Sequence, residues 1–261
     1  MLSEIIRNVH VKHPIVHNIT NYVTAADCAN ITLTVGASPI MADEPLEVSD
    51  VTSICDALVL NTGTISGNRL EAMLIAGTAA NKKGIPVILD PVGAGVSSFR
   101  TEAINKLIAQ VKPQIIRLNT AELKSLCLST RNISGIDASN ENITDNIITF
   151  AQRLSVQTHA VIGVSGISDI ITDGTHTAVI HSGHSMMRRI TGAGCMLSAV
   201  TGAFAAANSD RIFDAVTAAF AVYGKCGQKA YKEGIGTASY KNRLFDEMTN
   251  PDTEEAEIEY R

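Results

Sequence analysis

The residues best placed to do chemistry form one short run: Arg189, Ile190, Thr191, Gly192, Ala193, Gly194, Cys195, Met196, Leu197 and Ser198, followed by small apolar residues over 199–207. Glycines at a helix entrance let the backbone approach a ligand and take positive φ at little steric cost. The first N–H groups of a helix lack internal partners and carry partial positive charge, so they gather anions, phosphate above all. Gly192 and Gly194 would then shape a phosphate cradle, with Cys195 at its edge. The same residues also read as a tight turn before a packed helix, with Cys195 a small core residue. A short glycine pattern alone does not choose between the two.

Further polar segments follow apolar runs of strand length. They are Asn61-Thr62-Gly63-Thr64, Asp90-Pro91-Val92-Gly93-Ala94-Gly95, Asn119-Thr120-Ala121-Glu122 and Ser165-Gly166. In open parallel sheets, ligands bind beyond the carboxyl ends of the strands. Asp90 reads either as a turn former or as a carboxylate holding Mg²⁺ beside phosphates, an ion that takes one or two carboxylates plus phosphate oxygens. Glu122 is the natural second carboxylate, or else a capping-box residue. Arg117 stands alone in an apolar run, so its charge needs a partner. A structural ion pair and a nucleotide phosphate both satisfy it.

Near the start, His17, Asn18, Thr20 and Asn21 crowd a short span that opens a helix expected over 22–35. By themselves Asn18 and Asn21 read as caps and turn formers, and Met41 as core. His17 and His184 more often make structural hydrogen bonds than catalytic ones.

These segments need elements to position them. Strands are expected at 57–61, 86–90, 114–119 and 159–164, alternating with helices over 70–81, 101–110, from 121 under a Thr120 cap, and over 143–156. Such alternation, with continuous apolar strands, predicts an α/β fold whose mainly parallel sheet is covered on both faces. Asp173-Gly174-Thr175 between two β-prone runs predicts a hairpin. Helical patterns follow, the longest over 212–231. No repeat or composition break divides the 261 residues.

Composition excludes several classes. Hydrophobic residues make up 45% and a sizeable core is expected. Aromatics make up only 4%, Trp is absent and the net charge is −5, which disfavours nucleic-acid binding. No apolar run reaches the roughly 18 residues of a membrane span. Five scattered cysteines without a CxxC pair argue against a disulfide framework or zinc site, and residues 1–14 carry no signal-peptide core. The expectation is a reduced, cytoplasmic protein.

Taken together, VHNITNYVT over 16–24, GASPIMA over 36–42, ALVLNTG over 57–63, DPVGAG over 90–95, IRLNTAE over 116–122, VSG over 164–166 and the Thr191–Ser198 run resemble the hydroxyethylthiazole kinase family of the ribokinase-like superfamily. The resemblance implies a ribokinase-like three-layer sandwich, with one kinase domain expected over 1–250; the acidic residues of 251–261 read by themselves as a solvated tail. It implies ATP-dependent phosphorylation of the hydroxyl of 4-methyl-5-(2-hydroxyethyl)thiazole in thiamine metabolism. By resemblance, Met41, Asn21 and Gly192 meet the thiazole substrate, while Arg117, Asn119, Ser165 and Gly194 meet ATP. Asp90 and Glu122 resemble the Mg²⁺-linked carboxylates, and Cys195 sits where related kinases place a catalytic aspartate. A homotrimer with sites at subunit interfaces is implied as well. Leu118 and Ile167 depart from the family pattern near the nucleotide. The competing readings are a hydroxymethylpyrimidine or sugar kinase of the same superfamily, and an inactive nucleotide-binding regulator.

Overall fold

Side chains along each central strand alternate between two apolar layers, and this alternation builds the fold. The computed structural model describes residues 2–129, 143–251 and 257–261. Its strands are β1 (Ile15–Ile19), β2 (Ser38–Ile40), β3 (Ala57–Asn61), β4 (Val87–Asp90), β5 (Ile115–Asn119), β6 (Val161–Ser165), β7 (Asp169–Thr172), β8 (Thr177–Ile180) and β9 (Ile258–Tyr260). They form one sheet in the order β2-β1-β3-β4-β5-β6-β7-β8-β9. The pairs from β2 to β6 are parallel. Those from β6 to β9 are antiparallel.

The helices are α1 (Leu2–Lys12), α2 (Ala25–Thr34), α3 (Val48–Ile54), α4 (Gly67–Lys83), α5 (Ser98–Val111), α6 (Thr120–Ser129), α7 (Ile143–Thr158), α8 (Ala193–Ala207), α9 (Ile212–Ala230) and α10 (Thr237–Thr249), with a 3₁₀ turn at Ser185–Arg189. Val16, Ala57, Val59, Ile88 and Ile115 face one core with α1, α2, α8, α9 and α10. Their neighbours Ile19, Leu58, Leu60, Leu89 and Ile116 face the other, with α3 to α7. The result is the expected α/β sandwich: helices, a mainly parallel sheet, helices.

Several expectations need correction. Residues 15–19 are a strand rather than a helix entry, because Val16 and Ile19 fill opposite cores between two parallel neighbours. Helix α2 starts at Ala25, later than expected, after a turn closed by Thr24 N–H on the Asn21 carbonyl at 3.3 Å. Helices α1 and α3 were not anticipated. Each buries only a few apolar side chains, Ile5, Ile6 and Val9 in one and Val48 in the other. The last residues differ from a free tail. Residues 252–256 lie outside the described residues, but β9 pairs with β8, while Glu259, Tyr260 and Arg261 keep exposed side chains. The hairpin forms as expected, with Gly174 at φ 93° and Asp173 Oδ1 accepting from the Thr175 and His176 N–H groups.

Candidate active site

Strand parity brings the polar groups together. Residues two apart on a strand share a face. Asn61 therefore follows Ala57 and Val59, Asp90 follows Ile88, and Arg117 follows Ile115, all toward α8. The register places Asn61 beside Asp90 and Asn119 beside Ser165 at the carboxyl ends. The first turn of α8 lies over these ends.

Its entrance depends on two glycines. Gly192 caps α8 at φ 87°, in the left-handed region. A Cβ there would stand 2.8 Å from Thr24 Cγ2. At Gly194 a Cβ would stand 2.6 Å from Arg117 Nη1, so only a bare backbone lets the guanidinium lie against the helix. Tyr223 Oη donates to the Ala193 carbonyl at 2.9 Å and ties this turn to α9.

Beneath the turn runs a buried polar network. Asn21 Oδ1 accepts from Thr24 N–H and Oγ1, each at 3.1 Å. Asn21 Nδ2 donates to Asn61 Oδ1 at 3.0 Å, and Asn61 Nδ2 donates to Asp90 Oδ2 at 2.7 Å. Ser198 Oγ donates to the same Asp90 oxygen at 2.7 Å. Both asparagine amides also point at Cys195 Sγ, 3.3 Å from each. Asp90 is fully buried, and its Oδ1 accepts no hydrogen bond. Arg117 Nη1 lies 3.6 Å from that oxygen.

Arg117 donates from Nη2 to Ser165 Oγ at 2.6 Å, while its buried Nε has no partner. Of the two sequence alternatives for Arg117, the structural ion pair is present, with Asp90. Glu122 Oε1 accepts from Gly93 N–H at 3.0 Å, and Oε2 from Asn119 N–H at 2.9 Å. Asn119 Oδ1 accepts from the Ala121 and Glu122 N–H groups, so Asn119, not Thr120, caps α6. Asn119 and Glu122 therefore form a reciprocal cap, which fixes the Gly93 turn against α6.

Above the network opens a cleft of about 830 Å³. Its walls include Arg117, Asn119, Glu122, Ser165, Gly192, Gly194 and Cys195. Asn21 and Asp90 lie buried below it, and Met41 stands half-exposed past the end of β2, outside its lining. Asn61 and Ser198 lie inside segments that the sequence singles out but carry no role there, and Tyr223 was missed as a site residue. A polar residue ending an apolar strand, as Asn61 does, is the signal that could have given the first its role. Ser198 could have been tied to the site as the residue one helical turn beyond Cys195.

The electrostatics follow burial. Burial pushes the Asp90 carboxyl up, with Arg117, Ser198 and Asn61 acting against it. Burial and then Asp90 raise the Glu122 carboxyl, against the Asn119 and Gly93 N–H groups. Burial and the Asp90 charge also raise the Cys195 thiol, outweighing Thr24, Asn21 and Arg117. Helix N-termini usually lower thiol pKa values, but here desolvation wins. In the cleft wall, Asp169 is pushed by burial to about 6, against the Gly166 N–H and Arg117.

Among the described residues no cluster of three or more His, Cys, Asp or Glu stands ready to hold a metal. A carboxylate with an orphaned oxygen and an undercompensated charge nevertheless suits a cation that also takes phosphate oxygens. Asp90 fits that description, with Glu122 close enough to feel its charge.

A sequence model of the hydroxyethylthiazole kinase family matches residues 6–254. The chain is 45% identical over 260 residues to a hydroxyethylthiazole kinase from Clostridium acetobutylicum, covering 97% of this chain and 95% of that one. A hydroxyethylthiazole kinase structure from Pyrococcus horikoshii superposes with a TM-score of 0.91 at 29% identity, covering 100% of this chain and 98% of that one. A ribokinase-like superfamily protein from Enterococcus faecalis shares the fold, with a TM-score of 0.64 at 12% identity, over 93% of this chain and 88% of that one.

Proposed function

Because this chain belongs to the hydroxyethylthiazole kinase family, we propose that its cleft transfers the γ-phosphoryl group of ATP to the hydroxyl of 4-methyl-5-(2-hydroxyethyl)thiazole, a step of thiamine metabolism. The observation that carries this reading is the α8 entrance over Arg117, Asp90 and Cys195 at the strand ends. Phosphoryl transfer passes through a loose transition state, so catalysis is mainly positioning and charge stabilisation.

The free N–H groups from Gly192 to Cys195 and the helix dipole receive the transferring phosphoryl group. Arg117, which lines the cleft, binds a phosphate there, and Ser165 holds its far end. Asn119 and Gly194 complete the ATP side of the cleft. Asp90 and Glu122 would hold Mg²⁺, which when bound neutralises the polyphosphate. Asn21 and Met41 take the thiazole side, with Gly192 between the two substrates. Cys195 lies where the attacking hydroxyl must arrive. Its thiol stays protonated, so its contribution is placement of the hydroxyl, received by the amide donors of Asn21 and Asn61.

A homotrimer is the expected assembly, by resemblance. Exposed apolar side chains follow both strands, Tyr22 and Val23 after β1 and Met41 and Leu46 after β2, which supports a subunit contact there. A reduced cytoplasmic setting accords with cysteines that form no disulfide among the described residues. No helix among the described residues is long and apolar enough to cross a membrane.

A coupled ADP-release assay tests the function, with the thiazole alcohol, a hydroxymethylpyrimidine and ribose as acceptors. Turnover with the thiazole alcohol alone is expected. Turnover with the pyrimidine or the sugar instead overturns the substrate assignment.

A further inference from the structure

His17 is fully buried on β1, on the sheet face opposite the polar network. Both of its ring nitrogens are engaged. Nδ1 lies 2.9 Å from Thr52 Oγ1 on α3, and Nε2 lies 2.9 Å from the Ala42 carbonyl. A carbonyl only accepts, so Nε2 carries the proton and donates it. Burial lowers the pKa of the ring, and the one Thr52 hydroxyl proton is contested between Nδ1 and the Val48 carbonyl, which lies 2.6 Å from Oγ1.

This bond falls at an informative place. The paired register of β1 and β2 stops at His17 and Ile40. Met41 and Ala42 continue past it without sheet structure. Beyond Ile40, side chains hold the segment: His17 grips the Ala42 carbonyl, and Arg69 forms an ion pair with Asp43 at 2.7 Å. Met41 lies directly between the end of the ladder and the His17 bond.

We propose that His17 is a positioning residue for acceptor recognition: its Nε2–H holds the Ala42 carbonyl and thereby sets Met41 against the thiazole ring. The inference rests on the reading of Met41 as a thiazole contact. It assigns a buried histidine a role in acceptor specificity without contact to either substrate. A hydrophobic pocket distinguishes acceptors by the fit of single groups, so a small displacement of Met41 weakens the acceptor and leaves ATP alone.

Two substitutions separate the ring nitrogens. In His17→Gln the amide nitrogen reaches the place of Nε2, whereas in His17→Asn the side chain reaches only the place of Nδ1. Both remain polar, and thermal unfolding checks that both fold. His17→Asn is expected to raise the KM for the thiazole alcohol about tenfold with the KM for ATP unchanged, and His17→Gln to stay within about twofold of the parent. Equal behaviour of the two variants, or a rise in the KM for ATP, overturns the proposal. Met41→Ala is measured alongside. If it leaves the thiazole KM unchanged, the reading of Met41 fails and this inference fails with it. If it raises that KM while Asn and Gln behave alike, only the role of His17 fails.

Discussion

At the residue scale, Cys195 shows how environment decides chemistry. A helix N-terminus favours a thiolate, yet burial and Asp90 raise the thiol pKa. Two amide donors nevertheless face the Sγ position, at 3.3 Å each. They suit a carboxylate as well as a thiol. Cys195→Ala is expected to lower turnover by about 10²-fold or less, because the cradle amides remain. Cys195→Asp should keep more activity than Ala, and steady-state turnover of folding-checked variants decides the order. Asp90→Asn should raise the Mg²⁺ concentration for half-maximal rate at least about tenfold; an unchanged Mg²⁺ titration removes Asp90 from the metal site. Asp169 gives a pH signature. Its carboxyl rises on folding from the ordinary 3.8 to about 6. A raised pKa means that its contribution to stability is complete below about 3.8 and is lost as pH rises through about 6. Asp169→Asn should therefore flatten the fall in Tm between these values, and parallel Tm curves for variant and parent would contradict the shift.

At the element scale, α8 does its work through its first turn, and its two glycines differ in why they are needed. Gly192 sits at φ 87° with Thr24 in the way of a side chain, so Gly192→Ala meets both backbone strain and a clash. It should lower stability by about 1–2 kcal/mol, read by denaturant unfolding. Gly194 is helical, and an alanine suits a helix better by about 0.5–1 kcal/mol. Its added Cβ would instead displace the guanidinium of Arg117. Gly194→Ala should thus raise the KM for ATP about tenfold at unchanged or higher Tm. A drop in Tm with normal ATP affinity would mean that the close approach serves packing alone.

At the scale of the whole molecule, the sheet carries the site at one end and manages its edges at both sides. At one edge β9 covers β8, with the Arg261 side chain bonded to Asp145 at 2.8 Å. At the other, β2 is short and followed by a segment that exposes Met41 and Leu46. Apolar side chains gathered at a sheet edge favour burial against another subunit. Light scattering on the purified protein is expected to give three times the 27.7 kDa chain mass. A stable, active monomer would sink the trimer and leave the exposed residues unexplained.

The architecture was legible in the chain itself because its signals are local. Apolar runs such as 57–61 and 86–90, each closed by a polar group, mark buried parallel strands, and Asp173-Gly174 marks a hairpin. The glycine run before Cys195 marked the helix entrance, and the motif order pointed to the family. What the chain alone could not decide depends on distant residues meeting. Residues 15–19 are a strand because parallel neighbours on both sides bury Val16 and Ile19, which no local pattern reveals. Asn61 and Ser198 serve one oxygen of Asp90 although 137 positions separate them (198 − 61), so their partnership exists only after folding. The direction of the Cys195 shift was equally out of reach. Helix dipole, burial and a neighbouring carboxylate pull on the thiol in opposite senses, and only the tertiary structure sets how deeply it is buried and how near Asp90 stands.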